Sequence, residues 1–224
     1  MKKILLALLF STSALTAVPQ AVVFDWGNVM ATKDRSLLES FLSKTFGFTP
    51  LEYEAVNAEK RKAVGCGMSD VEFWTNYARH IGFELPLGFA QTFMALLKES
   101  VGVDAAMFEL VDELKKQSVQ VALLSNVSAY YSRVIRNFGY YQAFDPCLLS
   151  CEMGYEKPCP AIYAALLQAI NLPAQEIVFI DDKVENVSAA KLMGIDAIAF
   201  ESMAQLRQEL SKRGLGQNRQ KLEK

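Results

Sequence analysis

Short, almost uninterrupted apolar runs recur along the chain, and each gives way to polar residues. They are AVVFD (21–25), VQVALLS (119–125), FDPCLLS (144–150), EIVFID (176–181) and IDAIAF (195–200). Runs this short and this apolar predict strands covered on both faces. The segments between them, 105–116, 129–138, 160–170, 185–193 and 203–213, read as helices. Strand and helix in alternation predict an α/β fold built on a doubly wound parallel sheet.

One interval breaks that rhythm. Between residues 31 and 103 no strand is expected, only amphipathic helical stretches such as RSLLESFLSKTFG and SDVEFWTNYARHIG. Ser69 opens the second of these, with Glu72 in capping-box spacing. An insertion directly after the first strand predicts a helical cap domain, 31–103, on a core formed by 20–30 and 104–214. Ligands of open α/β sheets bind beyond the carboxyl ends of the strands, so the cap is expected to sit over the site as a lid. Its turn RKAVGCGMS (61–69) is a candidate for substrate selection, with an ordinary interhelical turn as the alternative. Phe73, Trp74 and Tyr77 share helical spacing and are expected in the cap core, and His80 at a helix end.

Composition narrows the function classes. The chain has 224 residues, 51% of them apolar, and a formal net charge of -2. That supports a full core and offers no basic face, so nucleic-acid binding is not expected. The opening MKKILLALLFSTSALTA has two lysines, an apolar stretch and small residues, the build of a signal peptide over 1–17 cleaved near Ala14 or Ala17. An exported protein, periplasmic or secreted, is the expectation. A cytoplasmic protein whose first residues belong to the fold, or a misplaced start, is the alternative. The apolar stretch falls short of the ~20 residues that cross a bilayer, so no stable membrane span is expected. The four cysteines, 66, 147, 151 and 159, lack metal-site spacing and are expected as reduced, mostly buried thiols. The tail LSKRGLGQNRQKLEK (210–224) reads as polar and frayed, with 215–224 lying outside the core domain. No feature of the sequence sets an oligomeric state.

The polar residues that stop the strands are the candidates for chemistry. Asp25 ends the first strand, Ser125 and Asn126 the second, and Asp181 and Asp182 the fourth, while Lys157 lies in the loop after the third. A carboxylate ending a buried strand costs several kcal/mol unless it is paired or bound to a metal. Three carboxylates without a histidine or cysteine cluster suit a hard cation such as Mg²⁺. A hydroxyl or amide donor with a lysine suits a phosphoryl group as charge builds on its oxygens. A carboxylate can itself act as the nucleophile, and an unperturbed Asp, with a pKa of about 3.9, is ionised at neutral pH.

FDWGNV, LLSN, GYEKPCPAIY and FIDDKVENVSAAKLMGI, in this order, resemble the four motifs of the haloacid dehalogenase superfamily. The form of the first motif is most similar to the branch of small-molecule phosphatases that contains alpha-glucose-1-phosphate phosphatases. The resemblance covers almost everything after the leader, with the helical insertion standing where that family carries its cap. It implies a Mg²⁺-dependent phosphatase acting on small phosphorylated substrates through an aspartyl-phosphate. It implies Asp25 as nucleophile and metal ligand, the Gly27 carbonyl and Asp182 as further ligands, and Asp181 holding a metal-bound water. Ser125 and the Asn126 backbone would bind the phosphoryl oxygens, and Lys157 would offset charge between Asp25 and the phosphate. Asn186 would serve the substrate side or orient the loop or Lys157, with an ordinary polar helix residue as the alternative.

Most phosphatases of that superfamily carry a second aspartate two residues after the nucleophile, and here Gly27 stands there. General acid-base help is worth about 10²–10⁴-fold, so phosphates with easier leaving groups, anomeric or aryl, are the expected substrates, with a proton carrier borrowed from the cap or from water as the alternative. Two other readings compete. A metal-independent dehalogenase would use the same aspartate, and a binding module would keep the fold without the reaction.

Overall fold

The computed structural model describes residues 18–216; the expected leader and residues 217–224 of the tail lie outside the described residues. In chain order the elements begin with β1 (Ala21–Phe24) and β2 (Ala31–Lys33). Four helices follow: α1 (Ser36–Phe46), α2 (Pro50–Gly65), α3 (Asp70–His80) and α4 (Phe89–Ser100). Then come β3 (Val101–Val103), α5 (Ala105–Lys116), β4 (Gln120–Ser125), α6 (Ala129–Asn137), β5 (Cys147–Leu149) and α7 (Ser150–Met153). The chain closes with α8 (Pro160–Ile170), β6 (Ile177–Asp181), α9 (Val184–Leu192), β7 (Asp196–Ala199) and α10 (Met203–Lys212).

Five strands form one parallel sheet in the order β5-β4-β1-β6-β7. Alternate residues of each strand enter opposite cores, which is why the runs read as continuously apolar. Val22 and Phe24 of β1 join the core packed by α5 and α10, while Ala21 and Val23 join the one packed by α8 and α9. The chain leaves β1 toward β4 and β5, then crosses back to β6 and β7. Direction therefore reverses at the β1–β6 seam, where a crevice opens beyond the strand ends.

The expected strands and helices are found, mostly within a residue of their expected limits, with one exception. FDPCLLS contracts to the three residues of β5, because Ser150 already starts α7. Two further differences concern the ends and the thiols. The tail is packed as far as it is described: Leu210 and Leu215 are buried in the core, and Arg213 pairs with Asp196 and Glu209. Cys66, Cys151 and Cys159 are exposed and Cys147 is half-buried, because all four stand at or near the ends of elements; none is paired.

The insertion is helical but not purely so. β2 and β3 pair antiparallel, Ala31 opposite Val103 and Lys33 opposite Val101, closing the ends of the helical segment. Strands of three residues, ATK and VGV, are too short for any periodicity to show. Helix starts here are chemically marked. Thr49 and Glu52 form a reciprocal capping box ahead of Pro50, whereas Ser69 supplies only half of one, accepting from the Glu72 backbone N–H. Trp74, Phe93, Leu97 and Leu42 fill the cap core, and Tyr130 and Val134 of α6 complete it from the sheet domain. Phe73 and Tyr77 pack at its edge, and His80 ends α3 as an exposed residue. Among the described residues no helix is long and apolar enough to cross a membrane.

Candidate active site

Parallel register carries the strand-end residues into one place. Phe24 lies level with Leu123 on one side and Ile180 on the other, so Asp25 emerges beside Asp181 and one residue short of Ser125. The Asp25 N–H donates to the Ile180 carbonyl at 2.8 Å, holding the carboxylate at the seam. One carboxylate oxygen from each of Asp25, Asp181 and Asp182 falls within 4.8 Å of the others.

Lys157 is the counter-charge. Its ammonium donates to Asp25 Oδ1 at 2.8 Å, Asp181 Oδ2 at 2.6 Å and the Leu124 carbonyl at 2.8 Å, which uses all three of its protons. Asn126 fixes the loop that brings it there: its side chain donates to the Lys157 carbonyl and accepts from the Lys157 N–H, both at 2.9 Å. Asp181 is wholly buried and accepts from Lys157, from the Lys183 N–H and, through both oxygens, from the Asn186 amide at 3.0 Å. Asn186 is buried and spends its amide on Asp181, so it steadies that carboxylate rather than facing a substrate or Lys157.

Burial pushes the Asp25 carboxyl above its ordinary range; the Lys157 ammonium pulls it back and the neighbouring Asp181 adds to the rise. The reference value of an exposed aspartate therefore does not describe it. Three carboxylates around one ammonium leave the site with excess negative charge, an all-oxygen donor set that fits a hard divalent cation. After β1 the turn is closed by the Trp26 carbonyl, which accepts from Met30 and Ala31, and by the Asn28 N–H, which donates to Ala31. The Gly27 carbonyl takes part in none of these bonds. A Cβ at Gly27 would meet nothing within 4 Å. The second carboxylate is thus missing by sequence and not for want of room.

Ser125 is buried at the end of β4 and, with Trp26, Gly27, Asn28, Thr32 and Tyr131, lines a cavity of about 310 Å³ over the strand ends. Asn28 is the residue that sequence reasoning missed. Its φ of 56° is left-handed, which Asn tolerates better than most residues, and its side chain donates to Asp182 Oδ2 at 2.9 Å. The signal was the Gly-Asn pair directly after a strand-ending Asp, a turn signature. Tyr131 was missed for a different reason: nothing in a helix pattern says that one of its tyrosines faces a strand end.

The family model for haloacid dehalogenase-like hydrolases matches residues 19–194, which include every residue of this site. The chain belongs to that family. Several of its curated relatives are phosphatases by name, and another is named a drimenol cyclase. A sesquiterpene phosphatase of Aspergillus oryzae is 36% identical over 115 residues, 51% of this chain and 56% of that protein. This chain thus matches only about half the length of that relative. A phosphorylated carbohydrates phosphatase of Thermotoga maritima is 23% identical over 188 residues, covering 80% of this chain and 83% of that one. Among solved structures, a haloacid dehalogenase-family enzyme of Bacteroides thetaiotaomicron in complex with magnesium and inorganic phosphate superposes with a TM-score of 0.56 at 22% identity. It covers 84% of this chain and 98% of its own.

Proposed function

We propose that this hydrolase is a magnesium-dependent phosphatase of small phosphate monoesters, working through an aspartyl-phosphate on Asp25. The observation that carries the reading is the constellation of buried Asp25, Lys157 and Asp181 with half-buried Asp182, and Ser125 one strand away. Asp25, Asp182 and the Gly27 carbonyl would hold Mg²⁺, and Asp181 a water bound to it. The ion would supply positive charge against the phosphoryl oxygens and draw the Asp25 carboxyl back toward its ionised form.

The chain's own groups account for the rest. An Asp25 carboxylate oxygen attacks phosphorus, the bond from phosphorus to the ester oxygen breaks, and its electron pair leaves with the alcohol oxygen, which takes a proton from water. Ser125 and the Asn126 backbone hold the phosphoryl oxygens while Lys157 limits repulsion between them and Asp25. Water then attacks the acyl phosphate, releasing inorganic phosphate and restoring the carboxylate. With Gly27 in the usual acid position, the leaving oxygen receives no proton from a side chain there. This supports aryl and anomeric phosphates as the faster substrates. The sesquiterpene and carbohydrate phosphatases share a phosphate by name and differ in what carries it, which supports the reaction more than any one substrate.

The test is phosphate release from para-nitrophenyl phosphate, glucose 1-phosphate and a primary alkyl phosphate, with magnesium or with chelator. Release is expected only with magnesium, and Asp25→Asn should abolish it. Undiminished activity in that variant overturns the mechanism. Halide release from a 2-haloacid in chelator would instead establish the dehalogenase.

A further inference from the structure

Resting on the phosphatase reading, we infer that the cap cavity takes the leaving group of the substrate, an alcohol with an apolar carbon body and a neutral oxygen at its far end. The cavity is about 280 Å³ and opens between cap helices α1 to α4 and the start of α6. Ser128 and Tyr131 line both it and the cavity over Ser125 and Gly27. A phosphate held at Asp25 can thus extend its alcohol past those two residues into the cap.

The walls define the chemistry. Leu42, Tyr53, Trp74, Phe93 and Leu97 line the cavity and are buried. Its charged lining is largely accounted for: Lys60 is paired with Asp70 at 2.8 Å, Arg61 leans on Glu54 at 3.8 Å, and Arg35 is exposed at the rim. A polyhydroxylated sugar would bring several hydroxyls against these walls, and each one left unbonded costs about 1–3 kcal/mol. An aliphatic or aromatic body meets no such cost.

Among the described residues, polar groups of Asn57, Trp74 and Tyr53 in this lining take no hydrogen bond, and the Asn57 amide is the one that can both donate and accept at a ligand oxygen. Asn57 is only 5% exposed, and its carboxamide has no hydrogen-bond partner among the described residues. Its amide is not sealed off but opens on the cavity, so a ligand atom or an ordered water there can bond it. Trp74, on the same wall, also carries an indole Nε1 without a partner. Asn57 can donate to an oxygen and accept from its hydroxyl. The space holds roughly nine waters at about 30 Å³ each, the bulk of an eight-carbon chain with a terminal hydroxyl.

The experiment compares octyl phosphate, 8-hydroxyoctyl phosphate and glucose 6-phosphate, all primary alkyl esters, with para-nitrophenyl phosphate as an activated ester that tests the reaction by itself. Direct binding of 1,8-octanediol and 1-octanol is followed by calorimetry, which needs no hydrolysis. With magnesium, kcat/KM for 8-hydroxyoctyl phosphate should exceed that for glucose 6-phosphate by about 10-fold or more. Asn57→Leu should remove most of its advantage over octyl phosphate, a loss of roughly 10- to 100-fold in their ratio. If that variant does not fold, tighter binding of the diol than of 1-octanol to the native protein makes the same point. Equal or better use of glucose 6-phosphate, or no binding of either alcohol, overturns the inference while leaving the phosphatase in place. Failure to hydrolyse even para-nitrophenyl phosphate would sink the phosphatase reading, and octanediol binding would then still decide whether the cavity takes such an alcohol.

Discussion

Two lysines lie near the boundary between sheet and cap, and their surroundings are opposite in kind. Lys157 is shared between Asp25 and Asp181 with Asp182 close by, so one ammonium faces three carboxylates. Lys60 on α2 meets Asp70 at 2.8 Å, and Tyr130 of α6 stands beside the same aspartate. The first cluster carries excess negative charge, and the second is neutral. Desolvation makes even a balanced buried ion pair a weak stabiliser, so an unbalanced one has no structural rationale and calls for a cation. The balanced pair needs none: it ties two cap helices together.

The largest effect expected from this contrast is at Lys157. Lys157→Met leaves Asp25 and Asp181 buried without their counter-charge and should cost about 3–5 kcal/mol, read by urea unfolding in chelator. The loss should depend on pH. Asp25 already has a raised folded pKa, by burial, and removing the ammonium raises it further. A carboxyl whose folded pKa exceeds its unfolded value of about 3.9 stabilises below that value and loses the contribution as pH rises through the folded one. The deficit should therefore be larger at pH 8 than at pH 5. An equal deficit at both would mean that Lys157 acts by packing.

Next in size is the response to magnesium. At a hundredfold excess over its dissociation constant, an ion bound only by the folded state adds about 2.7 kcal/mol, a rise in Tm of roughly 5–10 °C for a chain of this length. Asp182→Asn should abolish the rise, and Lys60→Met should keep it. A native protein that magnesium does not stabilise would break the contrast at its first term.

Much of this was legible in the sequence, and the limits have physical causes. Apolar runs interrupted by Asp25, Ser125 and Asp181 showed both the sheet and its functional edge, because a parallel sheet buried on both faces tolerates polar residues only at strand ends. The cap's helices showed through their amphipathic pattern, but the β2–β3 pairing joins residues seventy apart and has no local signature. Asn186 was placed at the site, yet which neighbour it bonds is decided by the turn of α9 against β6. The turn 61–69 was the expected reader of substrate; Arg61 and Val64 do line the cap cavity, but Asn57, one to two turns earlier on α2, is the buried amide there without a partner. Burial of a polar group is a tertiary fact, and a helix pattern does not announce it.

The smallest effect should come from Lys60. Its side chain is 19% exposed against 1% for Lys157, so water already shares in its solvation. When Lys60→Met removes the ammonium, Tyr130 still stands beside Asp70. The expected loss is about 1–2 kcal/mol, the range for leaving one buried polar group under-satisfied. Adding Asp70→Leu should then restore stability to within about 1 kcal/mol of the native protein, since a balanced buried pair can be exchanged for apolar side chains at little cost. A double-mutant cycle by urea unfolding measures this directly. Full recovery would show that charge balance lets the Lys60 pair be replaced. Failure of the double variant to recover would assign Asp70 a second task, holding Tyr130 and with it the seam between cap and core.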